Sequence, residues 1–253
     1  MLTDERRYKI LELIKEKQFV SVNDLADAFS VHETTIRRDL DDLEEKGLVA
    51  RIHGGVIPSD VKKDESPFDE RQTENIDEKE RIGRYAASLI KDYDSIILDS
   101  GTTTLQIARH LTNQKNLTVI TNDINIATVL RNNREVKTIV TGGVVHHNSY
   151  MLNGMLTDAA LKNLFVNKAF IATPAFDLTT GLNHFDEYLI PAKKEMLVSA
   201  QNVIVVADHT KLGRKALHAF WPIEEMDLLI TDTEADSESI ALLQSKGLKI
   251  EQT

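Results

Sequence analysis

At 253 residues the chain has room for two domains, and 42% hydrophobic with 28% charged residues is an ordinary balance for a folded protein. It contains no cysteine, which excludes disulfides, thiolate metal sites and thiol catalysis. The net charge of −10 argues against indiscriminate binding to nucleic acid or to an anionic membrane, but not against a specific contact. No apolar run approaches the roughly 20 residues that span a bilayer, and the N-terminus lacks the apolar core of a signal peptide. A cytoplasmic location with no membrane partner is expected.

In chain order, Thr3 to Lys17 places Ile10, Leu13 and Ile14 on one helical face, with Thr3 as N-cap and Asp4 and Glu5 in the first turn. Phe19 and Val20 lead into Ser21-Val22-Asn23-Asp24, a capping-box-like start in which Asp replaces Glu, followed by inward Leu25, Ala26 and Phe29. A third helix starts within two or three residues of Ser30, a connection short enough for a helix-turn-helix. Ile36, Leu40 and Leu43 form its apolar stripe, while Thr34, Arg37, Arg38 and Asp41 fall on the opposite side. Gly47 stops it, and Leu48 to His53 alternates apolar with polar before Gly54-Gly55, the pattern of a short β-wing.

Residues 1–57 therefore read as a winged helix-turn-helix for double-stranded operator DNA. Thr34, Thr35, Arg37 and Arg38 on the recognition helix, with Arg51 and His53 on the wing, are the candidate DNA contacts. The competing reading of such a helix has its arginines merely solvated or paired to nearby carboxylates. The segment carries nine Lys/Arg against twelve Asp/Glu, so its phosphate affinity must come from clustered cations. One copy should bind weakly, and a homo-oligomer, dimer or tetramer, is expected. Three short helices and a wing should also be only marginally stable.

Residues 58–76, rich in charge and with two prolines at Pro58 and Pro67, read as a linker. From residue 77 short apolar runs alternate with helical patterns. The runs are Ser95 to Leu98, Leu117 to Ile120, Val136 to Val140, Ala169 to Ala172, Val203 to Val206, Leu228 to Ile230 and Leu248 to Ile250. Thr103 to Leu111, Ile124 to Leu130, Lys193 to Ala200 and Ser237 to Lys246 carry helical spacing. The fold class is thus α/β, with a mostly parallel sheet over 77–253 covered on both faces and ligands bound beyond the carboxyl ends of its strands.

Four loops at those ends are suggestive. Asp99-Ser100-Gly101-Thr102-Thr103-Thr104 follows a strand and opens a helix, as a phosphate cradle does, although such turns are often only caps. Thr121-Asn122-Asp123, Thr141-Gly142-Gly143 and Asp208-His209-Thr210-Lys211 also follow strands with small or polar residues. A shared effector site is expected there. Lys211, or Lys193, would supply charge for a phosphate, and Asp99, Asn122 and Asp208 would hold hydroxyls unless the aspartates merely cap turns.

The segments RRYKILELI and NDLADAFSVHETTIRRDLDDLEEKGLVARIHGG resemble the DNA-binding signature of DeoR-type bacterial transcriptional regulators, with His32 where that family usually has a serine cap. LDSGTTT, VITND, TGG, Phe170-Ile171-Ala172, Thr180-Gly181-Leu182 and VADHTK match the order of the family's effector domain. The resemblance covers nearly the whole chain. It implies a domain similar in fold to ribose-5-phosphate isomerase that takes a phosphorylated sugar as inducer. Two departures stand out: Ala172-Thr173-Pro174-Ala175-Phe176-Asp177 where the family commonly has small residues, and Pro191 where a glutamate commonly stands. Pro174, Phe176 and Pro191 thereby become candidates for reshaping the pocket.

A sugar-phosphate isomerase needs a carboxylate base beside the sugar carbon, and only Asp177 stands in the corresponding segment. A lone Asp at a strand end is more often a cap. The histidines show no metal-ligand spacing, and Phe220 with Trp221 reads as packing. The expected function is therefore a transcriptional regulator, a repressor of sugar-metabolism genes released by a sugar phosphate, with no catalytic residues, metal or cofactor. The alternative is a phosphosugar-processing enzyme with a DNA-binding appendage.

Overall fold

The computed structural model describes residues 3–17, 19–46, 48–52, 55–58, 65–147 and 149–253, and divides into a unit spanning Met1–Asp64 and another spanning Glu65–Thr253. In the N-terminal unit helix α1 (Thr3–Lys17) precedes strand β1 (Val20–Ser21), helices α2 (Val22–Phe29) and α3 (Glu33–Glu45), and strands β2 (Val49–Ile52) and β3 (Gly55–Pro58). The strands form an antiparallel sheet in the order β1-β3-β2. Ile10, Ile14, Leu25, Ile36 and Leu40 are fully buried together, so the apolar spacing of all three helices converges on one core.

Expected caps are present on α2 and α3, whereas Thr3 is the first residue of α1 and not its cap. Ser21 Oγ accepts from the Asp24 amide at 3.0 Å and donates to its carboxylate at 2.7 Å, the first half of a capping box, with the shorter Asp meeting the cap's hydroxyl where a Glu would reach its amide. His32 caps α3 through Nδ1, which accepts from the Thr34 amide at 3.5 Å, a longer bond than a serine hydroxyl makes. Between the two helices Ser30 takes a left-handed conformation, φ 51°, that ends α2 and aims the chain into α3.

Asp39, which the apolar pattern of α3 does not single out, is buried. Arg6 Nε donates to its Oδ2 at 2.6 Å and Arg7 Nε to its Oδ1 at 3.1 Å, and Arg7 also reaches Asp42 at 2.8 Å. These bonds lock α1 onto α3, and the Asp39 carboxylate raises the Arg6 pKa. Helix α3 is therefore held by charge as well as by its apolar face.

In the C-terminal unit α4 (Phe68–Thr73) and α5 (Ile76–Ser88) lead to β4 (Ser95–Leu98), α6 (Thr102–Arg109), β5 (Leu117–Thr121), α7 (Ile124–Leu130) and β6 (Val136–Val140). A hairpin of β7 (Val144–His146) and β8 (Met151–Asn153) comes next, then α8 (Met155–Leu161), β9 (Val166–Ala172), β10 (Ala175–Asp177) and β11 (Gly181–His184). The chain ends with α9 (Ile190–Val198), β12 (Ala200–Val206), β13 (His218–Trp221), β14 (Leu228–Thr231), α10 (Ser237–Ser245) and β15 (Lys249–Gln252).

Seven strands make one sheet in the order β15-β14-β12-β9-β4-β5-β6, every neighbouring pair parallel. They are the seven runs expected from sequence. Alternation sorts their side chains: Ile96, Leu98, Val119, Ile204 and Val206 pack with Phe68, Ile82, Leu105 and Ile126 from α4 to α7. Ile97, Ile171, Val203, Val205 and Leu229 pack on the other face with residues of α8, α9 and α10 and with Phe176, Leu182 and Phe220 of an antiparallel sheet, β10-β11-β13. Phe220 is thus core, as expected. No helix among the described residues is long and apolar enough to cross a membrane.

One boundary differs from expectation. Residues 65–76 are not linker but part of the C-terminal unit, because Phe68 is buried against the sheet and meets Tyr150 edge-on, ring centroids 5.6 Å apart. Residues 59–64 lie outside the described residues.

Replacing Asp39 with alanine should destabilise the N-terminal unit by about 2 kcal/mol, because it strands the partly buried Arg6 guanidinium and leaves Arg7 with Asp42 alone. Hydrogen exchange at the Ile10, Ile14 and Leu40 amides of the full chain checks this, with the C-terminal unit unchanged as internal control.

Candidate functional site

The order of the parallel sheet fixes where a ligand can enter. From β4 the chain moves outward to β5 and β6, then returns to the other side of β4 with β9 and continues to β12. The connections after β4 and β9 therefore diverge, leaving a crevice at the carboxyl ends of two adjacent strands. A cavity of about 530 Å³, partly open to solvent, lies at this point, lined by Ser100 to Thr103 after β4, Ala172 to Pro174 after β9, and Ala207 and Lys211 after β12.

Its floor is built from main chain. Gly101 is extended at φ 171°, so its glycine is required by space: an added Cβ would stand 2.6 Å from the Ala172 Cβ across the crevice. Helix α6 starts immediately after it with no side-chain cap, so its first amides are available to an anion. The Ser100 amide donates to Asn122 Oδ1 at 3.1 Å and its hydroxyl to Asp123 Oδ2 at 2.6 Å, which pins the turn from behind.

Lys193, projecting from α9, closes one side. Its ammonium donates to Asp99 Oδ2 at 2.5 Å and to the Ala172 carbonyl at 2.9 Å, and the Ala172 amide reaches the same carboxylate oxygen at 3.2 Å. Burial pushes the Asp99 carboxyl up, and the lysine opposes that shift. Lys193 lines the cavity with its charge already balanced.

Lys211 differs. Among the described residues it forms no ion pair, and burial pulls its pKa down, with Arg71 and Arg214 acting in the same direction and Asp208 and Glu65 against it. Arg71 of α4 adds a second cation, stacked 5.7 Å from the Phe68 ring centroid. His184 also lines the wall. Its Nδ1 accepts from the Asp186 amide at 3.1 Å, leaving the ring proton on Nε2, and burial holds its pKa down at about 3.

The expected site residues separate accordingly. Ser100, Gly101, Thr102, Thr103, Lys193 and Lys211 meet at the cavity. Asp99, Thr104 and Asn122 stand behind it: Thr104 Oγ1 donates to the Gly101 carbonyl at 2.9 Å, and Asp99 Oδ2 is engaged by Lys193 while its buried Oδ1 has no hydrogen-bond partner among the described residues. Thr121 and Asp208 are fully buried caps, Thr121 accepting from the Asp123 amide at 3.1 Å and Asp208 from the Thr210 amide at 3.0 Å. Gly142 and Gly143 do not line the cavity; the Gly142 carbonyl accepts from Thr157 Oγ1 at 2.7 Å, tying that loop to α8.

Of the three residues expected to reshape the pocket, Pro174 lines the cavity, Phe176 is core and Pro191 is exposed in the first turn of α9. Sequence reasoning missed Arg71, assigned to a linker, and His184, which showed no partner at helical spacing. Neither position is marked by a local pattern.

Asp177 is a cap. Its Oδ1 accepts from the Thr179 and Thr180 amides at 3.0 and 2.7 Å and from the Thr180 hydroxyl at 2.9 Å, and it does not line the cavity. On the N-terminal unit Thr34, Arg37 and Arg38 are exposed and Thr35 half-buried; Arg37 makes a surface pair with Glu33 at 3.1 Å. The Arg51 side chain and His53 lie outside the described residues.

A family model for the DeoR C terminal sensor domain matches residues 74–233, and one for the DeoR-like helix-turn-helix domain matches residues 6–60. Among known relatives, the uncharacterized HTH-type transcriptional regulator YulB of Bacillus subtilis (strain 168) is 36% identical over 99% of this chain and 96% of that one. The glycerol-3-phosphate regulon repressor of Escherichia coli (strain K12) is 30% identical over 99% of each. Among solved structures, ribose 5-phosphate isomerase A from Methanocaldococcus jannaschii gives a TM-score of 0.40 at 19% identity over 54% of each chain, too distant a likeness to carry an argument.

His184 supplies a pH test. An unfolded chain protonates it near its ordinary 6.5, whereas the folded protein does so only at about 3. Stability from the neutral ring is therefore complete above 6.5 and falls away as the pH drops toward 3. In urea unfolding from pH 7 to 4, His184→Gln should lose stability less steeply than wild type, and parallel curves would remove His184 from this role.

Proposed function

The chain belongs to the DeoR family of transcriptional regulators, and from that premise we propose that it represses sugar-metabolism genes and leaves its operator when a phosphorylated sugar fills the C-terminal cavity. It is a DNA-binding regulator and not an enzyme: its relatives are named as regulators or repressors. The observation that carries the effector reading is the cavity's charge arrangement. A partly desolvated lysine at 211, without an ion pair among the described residues, and an arginine at 71 line the same cavity as a helix N-terminus with no side-chain cap, a combination suited to a dianionic phosphate. The neighbouring Thr102, Thr103 and His184 offer donors and acceptors for sugar hydroxyls. A relative named for a glycerol-3-phosphate regulon supports a small phosphorylated polyol or sugar as the ligand class.

Operator recognition falls to the exposed face of α3. Thr34, Thr35, Arg37 and Arg38 lie there or at its edge, while the opposite face is buried as core. Because acidic residues outnumber basic ones in the segment, affinity is expected to depend on two or more copies reading paired half-sites.

Lys211 gives a direct test of the cavity. A phosphate would favour its charged form and undo the depression of its pKa, so binding should draw in a proton at alkaline pH and weaken there sooner than an ordinary lysine would dictate. Thermal shifts with a panel of sugar phosphates should show stabilisation by at least one member, about 2.7 kcal/mol at 100 times its Kd, and Lys211→Ala should abolish it.

Arg37→Ala and Arg38→Ala should each weaken operator binding, by roughly 5- to 150-fold for a base contact or through a reduced salt slope for a phosphate contact. Fluorescence anisotropy over a salt series distinguishes the two, and unchanged affinity in both variants would sink the recognition-helix assignment.

A further inference from the structure

We propose that Glu65 is a built-in stand-in for the effector's anion, its carboxylate holding the cationic wall of the cavity until a phosphate displaces it. The inference rests on reading the cavity as a phosphate site and adds how that site is regulated. Glu65 is the first residue of the C-terminal unit and lines the same cavity as Arg71 and Lys211. Its Oε1 lies 2.6 Å from Arg71 Nη1, with side-chain exposures of 25% and 9%, so the pair is neither a loose surface contact nor a sealed core element.

The same guanidinium holds the next residue as well: Arg71 Nε donates to the Ser66 carbonyl at 2.7 Å. Arg71 thus fastens residues 65 and 66 to the body of the domain. Helix α4 begins after Pro67, which has no N–H and makes no side-chain cap, so the entry into the helix lacks the usual capping hydrogen bond. Lys211 senses the same carboxylate, which counts among the charges that favour its protonated form.

A carboxylate held between these groups presents two oxygens and one negative charge. A phosphate monoester presents three oxygens and nearly two charges, enough to engage Arg71, Lys211 and the first amides of α6 together. Exchange of one anion for the other frees the Glu65 side chain. The N-terminal unit ends at Asp64, so the segment released on exchange is the one through which the chain continues toward the DNA-binding domain. Effector binding thereby changes the anchorage of the connection between the two units, an order-to-disorder switch driven by competition for one arginine.

The test titrates the full chain with inorganic phosphate at matched ionic strength by calorimetry, comparing wild type with Glu65→Gln, and follows hydrogen exchange over residues 65–73. If the Glu65 contact is favoured about tenfold over its open form, removing the charge should tighten phosphate binding by about tenfold. Phosphate should also speed exchange over residues 65–73 in wild type, a readout that needs no variant, and exchange there should already be fast in Glu65→Gln. Binding of equal or weaker strength in Glu65→Gln, or phosphate that slows exchange in wild type, would overturn the inference while leaving the phosphate site intact. No phosphate binding by either protein, with no sugar phosphate stabilising the wild type, would remove the site reading and this inference with it.

Discussion

The cavity is closed on one side by a buried lysine that bridges the ends of two adjacent strands whose following connections diverge. Lys193 holds the Asp99 carboxylate at the end of β4 and the Ala172 carbonyl at the end of β9, and the Ala172 amide returns to the same carboxylate. Without such a bridge, a divergent crevice between parallel strands would expose a carboxylate and main-chain groups in a place where water competes poorly. Breaking a buried pair of this kind by removing one partner costs about 3 to 5 kcal/mol, since the other charge is left without compensation. With its charge balanced, Lys193 shapes the cavity and leaves the attraction for an anion to Lys211 and to Arg71, whose pairing carboxylate, Glu65, lines the same cavity. The close approach of Gly101 to Ala172 follows from the same closure, because the turn after β4 passes where a side chain would collide.

The two units illustrate opposite uses of charge. In the N-terminal unit, Asp39 takes Arg6 and Arg7 out of circulation, so two basic residues of an acid-rich segment serve to seat α3 and leave the recognition face to Arg37 and Arg38. Under the proposed function operator binding would rely on a few placed cations, in keeping with a chain of net charge −10. In the C-terminal unit, cations are concentrated at one cavity and partly desolvated, which raises the value of a bound anion.

Local order was legible in the sequence. The position of α3, the cap at Ser21 and every strand of the parallel sheet follow from spacing over four to fifteen residues, the range in which periodicity and capping act, while the cap at His32 came from the family resemblance. The turn at Ser100 to Thr103 was legible for the same reason. What spacing cannot show is which distant side chains meet. Lys193 and Asp99 read as separate ligand candidates because a separation of 94 residues hides their ion pair. Arg71 was hidden by a segment whose charge and prolines resemble a linker, although Phe68 anchors it in the core. Gly142 and Gly143 resembled a second glycine cradle, but their loop is drawn toward α8 by Thr157.

The central claim is that the cavity and the operator-binding face compete through one equilibrium. Coupling of this kind is reciprocal: a sugar phosphate that lowers operator affinity by some factor must itself bind more weakly, by the same factor, when operator is present. Typical coupling of about 1 to 3 kcal/mol corresponds to 5- to 150-fold, well within calorimetric range. The decisive measurement is therefore the Kd of the releasing sugar phosphate for the full chain with and without saturating operator duplex. A Kd raised by the factor seen in operator release is the predicted result, and an unchanged Kd alongside clear release from DNA would contradict it.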